Sequence, residues 1–394
     1  MPDVFLVSAA RTAIGTFGGS LKDKTPAELG ALVAREAIAR AGVDPAVIGH
    51  SVFGQVISTG PRDAYLGRVI AVEAGVPVET PAMTVNRLCG SGLQAIISAA
   101  QGILLGEYDV ALAGGAEVMS RAPFLVPAMR WGQKLGDSTL VDSLNGALTD
   151  PFHAILMGVT AENVAERHEI SRADQDALAL ESHRRASAAI QEGRFREQIV
   201  PVEVKVRRKT VQFTTDEHVR PDVTAEDLGG LPTVFRKEGG TVTAGNASGL
   251  NDAAAAVVLA SGDAVERLGL RPLARLVSYG HAGVDPAYMG IGPVPASRAA
   301  LARAGLGVEA LDVVESNEAF AAQACAVTRG LGLDPAKVNP NGSGISLGHP
   351  LGATGAINTA KLVYELRRSG GRYGLVTMCI GGGQGIAAVF EAVG

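Results

Sequence analysis

Val85-Asn-Arg-Leu-Cys89-Gly-Ser-Gly92-Leu93, continuing as Gln-Ala-Ile-Ile-Ser-Ala-Ala-Gln-Gly-Ile-Leu-Leu-Gly106, sets a strand end, a glycine-rich turn and a helix in direct succession. Ala82–Val85 is a short apolar run of strand type, while Leu93, Ile96, Ile97, Ala100 and Leu104 fall on one stripe of a helix predicted over Leu93–Leu105. Gly106 stands where that helix should stop, because glycine enters the left-handed conformation without a Cβ penalty. A strand running through a tight turn into a helix is the building unit of a layered α/β protein.

The unit occurs twice. Val85-Asn86, then Gly90-Ser91-Gly92 and a helix, is echoed by Val338-Asn339, then Gly342-Ser343-Gly344 and a helix. Ala39-Arg-Ala-Gly-Val before Val47–Phe53 matches Ala302-Arg-Ala-Gly-Leu before Ala310–Glu315, and Val110–Gly115 matches Leu375–Gly382. The offset is about 260 residues each time, which indicates a duplicated α/β half, with chance similarity of Ala/Gly-rich segments as the competing explanation. Strand-like runs at Val4–Val7, Val110–Ala113, Val257–Ala260, Asp312–Glu315 and Gly374–Met378, alternating with helical patterns, predict a mainly parallel layered fold. Residues 121–245 break the pattern. They hold the only tryptophan, Trp131, the basic cluster Arg207-Arg208-Lys209, and a helix predicted from Ser171 with Asp174 as capping-box partner. The expected division is a first half of residues 1–120 plus 246–270, an inserted loop domain of 121–245, and a second half of 271–394.

Composition agrees with close-packed layers. Of 394 residues 47% are apolar and only 4% aromatic, with 50 glycines against roughly 28 from average usage. A net charge of −5 argues against nucleic acid as the main partner. Cys89, Cys325 and Cys379 form neither a disulfide framework nor a C-x-x-C metal pair, and fit a reducing compartment. Met1–Ala10 has no signal-peptide pattern and no run reaches 18 apolar residues, so cytoplasmic residence is expected. There is no phosphate-binding loop, no dinucleotide fingerprint after a strand and no zinc-protease motif, and so no motif for a bound cofactor or metal.

Cys89 lies just before a predicted helix, where backbone N–H groups and the helix dipole stabilise a thiolate and where glycines admit a substrate. A buried structural cysteine would fit the turn equally well. His349, between Gly348 and Pro350 ahead of a second helix, is placed to act as general base, or else to cap or pack; its equivalence to Cys89 in the repeat favours the base. Cys379 ends a strand ahead of Ile380-Gly-Gly-Gly-Gln-Gly385 and suits either a second acid/base or a packed thiol. Cys325 reads as packing. Asn317, opening Asn317-Glu-Ala-Phe320, should cap a helix or polarise a carbonyl, capping being the simpler reading. Gly245-Asn-Ala-Ser-Gly249 is a polar turn that lines a pocket or is simply a loop. The basic residues of the insert suit a phosphorylated carrier or a solvated face.

Four motifs in this order, Asn86-Arg-Leu-Cys89-Gly-Ser-Gly, Asn317-Glu-Ala-Phe, Gly348-His349-Pro-Leu-Gly-Ala-Thr-Gly and Cys379-Ile-Gly-Gly-Gly-Gln-Gly, resemble the thiolase family over essentially the whole chain. Within it the resemblance is to bacterial short-chain β-ketothiolases of the acetyl-CoA acetyltransferase kind. The resemblance implies a five-layered αβαβα fold and no bound cofactor, with coenzyme A as substrate or product. It implies that Cys89 takes the acyl group, with His349 removing its proton, and that Cys379 deprotonates the second acetyl-CoA. Asn317 and His349 would form one oxyanion site, and the N–H groups of Cys89 and Gly381 another. It also places Arg220 at the nucleotide, Phe235 and Ser248 at the pantetheine arm, and Met157, Met289 and Phe320 at the acyl pocket, with Ser120–Asp137 helping to assemble a homotetramer. Leu156 before Met157-Gly158, with His153 a turn earlier, departs from the histidine common there, and Asp227 departs from a common serine. Both touch coenzyme A placement and acyl length. The rival readings are a ketoacyl-synthase-like condensing enzyme, which would lack the Cys379 thiol, and a non-catalytic lipid- or CoA-binding relative, which would lack one of the four residues. A Cys89–Cys379 redox pair would leave His349 and Asn317 idle.

Overall fold

The computed structural model describes residues 3–393. The first half contributes β1 (Val4–Thr12), α1 (Pro26–Ala41), β2 (His50–Gly54), α2 (Leu66–Glu73), β3 (Ala82–Val85), α3 (Ser91–Leu104) and β4 (Val110–Val118). An excursion follows, carrying α4 (Met157–Arg167) and α5 (Arg172–Gln191), before the chain returns as β5 (Asn251–Ser261). The second half runs β6 (Ala274–Gly283), α6 (Pro293–Ala304), β7 (Val313–Ser316), α7 (Ala321–Leu331), α8 (Leu351–Ser369), β8 (Tyr373–Ile380) and β9 (Gln384–Ala392).

The strands lie in the order β3-β2-β4-β5-β1 and, continuing, β6-β9-β8-β7. The expectation of a mainly parallel fold is overturned: β3–β2–β4 and β8–β7 pair parallel, but β1, β5, β6 and β9 join their neighbours antiparallel, β9 turning back directly on β8 and β5 returning beside β4. The halves join where β1 meets β6 antiparallel, Phe5 opposite Arg275 and Leu6 opposite Ala274. Each half has the same order read from the join outward. Where β3 flanks β2, the second half keeps only a single parallel bridge from Val338 to Val314.

Strand β5 shows why the fold is layered. All of its residues are buried, and they alternate between two cores: Ala253, Ala255, Val257 and Leu259 enter one, Ala254, Ala256, Val258 and Ala260 the other. A strand covered on both faces reads as one continuous apolar run. Val33 and Ala37 of α1 and Ile70 of α2 cover the outer face of this half. Leu93, Ile96 and Ile97 of α3 pack with Ala356, Ile357 and Ala360 of α8 between the two half-sheets. Ala296 and Ala300 of α6 and Val327 of α7 cover the far face of the second half. This gives five layers, αβαβα. The central helices approach backbone to backbone: a Cβ on Gly92 would sit 2.8 Å from Ala356 N, and one on Gly355 would collide with Leu93.

β4 and β5 are antiparallel neighbours, so residues 119–250 leave and re-enter between paired strands. The excursion is anchored by a buried bidentate pair, with Arg11 of β1 at 2.8 and 3.0 Å from the Asp216 carboxylate. Helix α5 begins with the expected capping box of Ser171 and Asp174. Arg207 and Arg208 form the exposed turn of a hairpin between Val202–Val206 and Lys209–Phe213.

Several strands outrun their predicted ends, β1 reaching Thr12 and β4 reaching Val118, because alanine and glycine there carry little strand propensity of their own. Strands β6 and β9 lie outside the predicted runs, β9 for the same reason. The simpler expectation for Asn317 is overturned: α7 starts at Ala321 with Phe320 as its extended N-cap, which leaves the Asn317 side chain free of any capping role. Among the described residues no helix is long and apolar enough to cross a membrane.

Candidate active site

Cys89 stands two residues before α3, and His349 two residues before α8, so the repeat places them on equivalent turns. Leu88 holds a positive φ of 45°, an unusual conformation for a branched residue. It is held from both sides: Asn86 Oδ1 accepts its N–H at 2.9 Å, and Ser91 Oγ donates to its carbonyl at 2.7 Å while accepting Arg87 N–H at 2.9 Å. The Cys89 sulfur is half-buried and accepts from the N–H groups of Gly381 and of Cys89 itself. Burial pushes this thiol up to about 11, those N–H groups pull it down, and the Glu117 carboxylate adds to the rise.

His349 is buried. Its Nδ1 lies 2.7 Å from Thr354 Oγ1, and that hydroxyl spends its only proton on Pro350 O at 3.0 Å. The ring nitrogen must then be the donor, which places the proton on Nδ1 and the lone pair on Nε2. Asn251 Oδ1 accepts the His349 backbone N–H at 2.9 Å, and Gly348, at φ 110°, leaves no room for a Cβ against that same Asn251. Burial lowers the imidazole to about 4, so it rests neutral.

Asn317 leaves the end of β7, its N–H bonded to Thr377 O at 3.0 Å. Its Nδ2 lies 3.4 Å from His349 Nε2, and its buried Oδ1 has no hydrogen-bond partner among the described residues. Cys379, near the end of β8, is buried beside Met157, Met289, Ala319 and Phe320. Burial, reinforced by the nearby Cys89 sulfur, holds its thiol far above the usual range.

A cavity of about 260 Å³ is lined by Cys89, His349, Gly381, Met157 and Met289 among others, with Asn317 and Cys379 just behind its wall. Phe235, Ser248 and Phe320 line it too. The Phe235 and Phe320 rings meet edge to face, centroids 6.4 Å apart, and a Cβ on Gly158 would run into the Phe235 ring. Ser248 is fixed by its N–H to Ala319 O at 2.9 Å. Leu156 lines the cavity as the N-cap of α4. His153 instead pairs with Asp150 at 2.9 Å, and exposed Asp227 is engaged as a capping-box partner of Thr224. Arg220 is exposed, is not part of the cavity lining, and donates its backbone N–H to His183 Nδ1 at 3.1 Å. Cys325 packs near Ala322 and Ala326 on α7, away from this cavity.

The chain matches the thiolase N-terminal domain over residues 4–263 and the thiolase C-terminal domain over residues 270–392. The chain belongs to the thiolase family. It is 70% identical over 391 residues to the beta-ketothiolase BktB of Cupriavidus necator, covering 99% of each. Among solved structures it superposes on human mitochondrial 3-ketoacyl-CoA thiolase in complex with CoA at a TM-score of 0.96, with 48% identity, 100% of this chain and 98% of that one covered. The Bacillus anthracis acetyl-CoA acetyltransferase matches at 0.96 and 48%, over 100% and 99%. This thiolase is accordingly an acyltransferase of the Claisen-condensation and thiolysis class.

Sequence reading missed the residues that hold this thiolase's site in place. Thr354 sits five residues after His349, inside the quoted Gly-Ala-Thr-Gly motif, so one and a half helical turns of spacing was the available signal. Asn251 carried no signal, because its partner lies 98 residues away in sequence.

Proposed function

We propose that this thiolase is a β-ketothiolase: it condenses an acyl-CoA with acetyl-CoA, or splits a short-chain 3-ketoacyl-CoA, through an acyl thioester on Cys89. The observation that carries the residue assignment is that Cys89 and His349 line one cavity, while Cys379 packs directly behind it among the lining residues Met157, Met289 and Phe320, and Asn317 reaches His349 Nε2.

The proton economy follows from the resting states. Cys89 is a neutral thiol and His349 a neutral imidazole with its lone pair on Nε2. As the sulfur attacks the thioester carbonyl, Nε2 takes its proton, and the tetrahedral oxyanion lies against the N–H groups of Cys89 and Gly381. The departing CoA thiolate takes the proton of Cys379. That leaves an acyl-Cys89, a Cys379 thiolate and a His349 imidazolium. The thiolate then removes an α-proton from the second acetyl-CoA. The imidazolium and a water on Asn317 meet the enolate oxygen, and the carbanion attacks acyl-Cys89. Cys89 leaves as a thiolate and recovers its proton from His349. Thiolysis runs the same steps in reverse, and each acid/base step is worth about 10²–10⁴-fold.

The acyl group would rest against Met157, Met289 and Phe320, with the pantetheine arm past Phe235 and Ser248. Arg220 would reach the nucleotide only at the exposed mouth. In this reading residues 1–120 with 246–270 and residues 271–394 are the two catalytic halves, and 121–245 the domain that receives coenzyme A. Phe124, Met129, Trp131 and Leu135 are exposed apolar side chains, Trp131 at 90% and Leu135 at 92%, and they support burial of Ser120–Asp137 in a homotetramer. Three free cysteines support a reducing, cytoplasmic setting.

Intact-protein mass after mixing with acetyl-CoA tests the reading. One acetyl adduct that maps to Cys89 and vanishes in Cys89→Ser is the expected result; an adduct elsewhere, or turnover by that variant, would overturn it.

A further inference from the structure

One buried acid has no part in these steps. Glu117, near the end of β4, is fully buried. Its hydrogen bonds are all with backbone: Oε2 accepts from Val56 N–H at 3.0 Å and Gly352 N–H at 2.8 Å, and Oε1 accepts from Ile57 N–H at 3.1 Å. Burying a carboxylate without a cation is costly, and three N–H donors offset only part of that cost. Glycine at 352 is what admits it, since a Cβ there would lie 2.7 Å from Oε2.

The two segments that Glu117 grips are informative. Gly352 is in the first turn of α8, three residues past His349. Val56 accepts a bond from Asn86 Nδ2 at 3.3 Å, and Asn86 Oδ1 is the group that holds the strained Leu88 N–H. Gln55 N–H adds a bond to Val85 O at 3.1 Å. A continuous path therefore runs from the Cys89 turn through Asn86, Val56 and Glu117 to the His349 turn.

We propose that Glu117 is a positioning residue of the thiolase reaction, a carboxylate that ties the nucleophile's turn to the base's turn and sets their separation. The proposal rests on the roles given above to Cys89 and His349. The titratable groups around Glu117 are Asp63, itself bonded to Gln55 Nε2 at 2.9 Å, Cys89, and His349 on the adjoining turn. Burial pushes Glu117 up to about 7, the three N–H groups pulling it the other way and Asp63 adding to the rise. Its charge in turn holds the Cys89 thiol high.

Glu117→Gln keeps the volume, removes the charge and turns an NH₂ toward an N–H that needs an acceptor. Cys89 acetylation by acetyl-CoA, followed by mass in rapid quench, should slow by about 10²-fold, the scale of a small misplacement of reacting groups. KM should be essentially unchanged. The pH midpoint for Cys89 alkylation by iodoacetamide should meanwhile move down, because an anion has gone. A thiol that ionises more easily yet acylates more slowly is the signature of lost positioning; general loosening of the fold would raise KM and leave that midpoint in place. Acetylation at the parent rate, or slowing without the downward midpoint, overturns the proposal. If Glu117→Gln does not fold, Asn86→Ala decides: this exposed residue breaks the outer link, and unchanged acetylation there overturns it equally. Absence of an acetyl adduct in the parent would instead sink the assignment of Cys89, which keeps the two failures apart.

Discussion

The ends of the parallel ladders in the two halves make an instructive pair. The β2–β4 ladder ends at Gly54 opposite Gly115, and the β7–β8 ladder at Ser316 opposite Thr377. One residue beyond Gly54 and Ser316 stand Gln55 and Asn317; two beyond Gly115 and Thr377 stand Glu117 and Cys379. In the first half these polar ends are occupied within the fold: Gln55 Nε2 bonds Ile57 O at 3.0 Å, and Glu117 takes three backbone N–H groups. In the second half Asn317 Oδ1 has no partner among the described residues and the Cys379 thiol lies among methionines. On the roles proposed above, the duplicated scaffold would use one pair of strand ends to brace the site and the other to serve the substrate. Unsatisfied buried groups are costly, and they are tolerated here where a ligand can complete them.

The largest effect expected from breaking this division is at Cys379. Cys379→Ser should still form acetyl-Cys89, because the nucleophile, its base and the oxyanion N–H groups are untouched and a CoA thiolate is a good enough leaving group to depart without the Cys379 proton. Carbon–carbon bond formation should fall by about 10²–10⁴-fold, the worth of one acid/base group. Single-turnover mass spectrometry against steady-state condensation separates the two steps. A variant that loses both together would make the Cys379 proton indispensable to acyl transfer and undo the contrast between halves.

How far the site could be read from sequence follows the same division. Cys89 and His349 lie in glycine-rich turns that the repeat pairs, Cys379 stands near the end of a strand just before a glycine run, and Asn317 opens a short quoted motif, so a short-range pattern announces each of them. The brace is not written locally. Glu117 is an ordinary residue in a strand until Val56, 61 residues away, and Gly352, 235 residues away, are folded against it. Strand β9 was invisible for a related reason. Alanines and glycines such as Ala387, Ala388 and Gly385 become strand because neighbours on both sides need backbone partners, and their own side chains argue little. The role of Asn317 was misread toward capping because the Asn317-Glu-Ala-Phe320 segment stays extended before α7 begins.

The central helices test whether the two halves act as one block. Gly355 of α8 faces Leu93 of α3 with no space for a methyl group. Gly355→Ala should force the helices apart and cost about 1–3 kcal/mol of stability, the usual range for overpacking. Thermal unfolding with and without coenzyme A would measure it. Unchanged stability would mean that the α3–α8 seam relaxes freely and does not fix the distance between the Cys89 and His349 turns.

The smallest effect concerns a single proton. Thr354 accepts the Nδ1–H of His349 while its own hydroxyl is committed to Pro350 O, so only one tautomer leaves Nε2 open. Thr354→Val keeps the shape of the side chain and removes that acceptor. The buried Nδ1–H then has no partner, and the tautomer that protonates Nε2 gains ground. Acyl transfer should slow on the order of 10-fold, about 1.4 kcal/mol, with KM unchanged, and Thr354→Ser should restore it. Because the imidazole of the parent is lowered to about 4, its rate should show no histidine limb near pH 6.5. The valine variant should share that flat profile, since tautomer balance does not depend on pH. A new acid limb in Thr354→Val would show instead that the hydroxyl governs the ring's charge, and would shift the role of Thr354 from fixing the lone pair to keeping the base neutral.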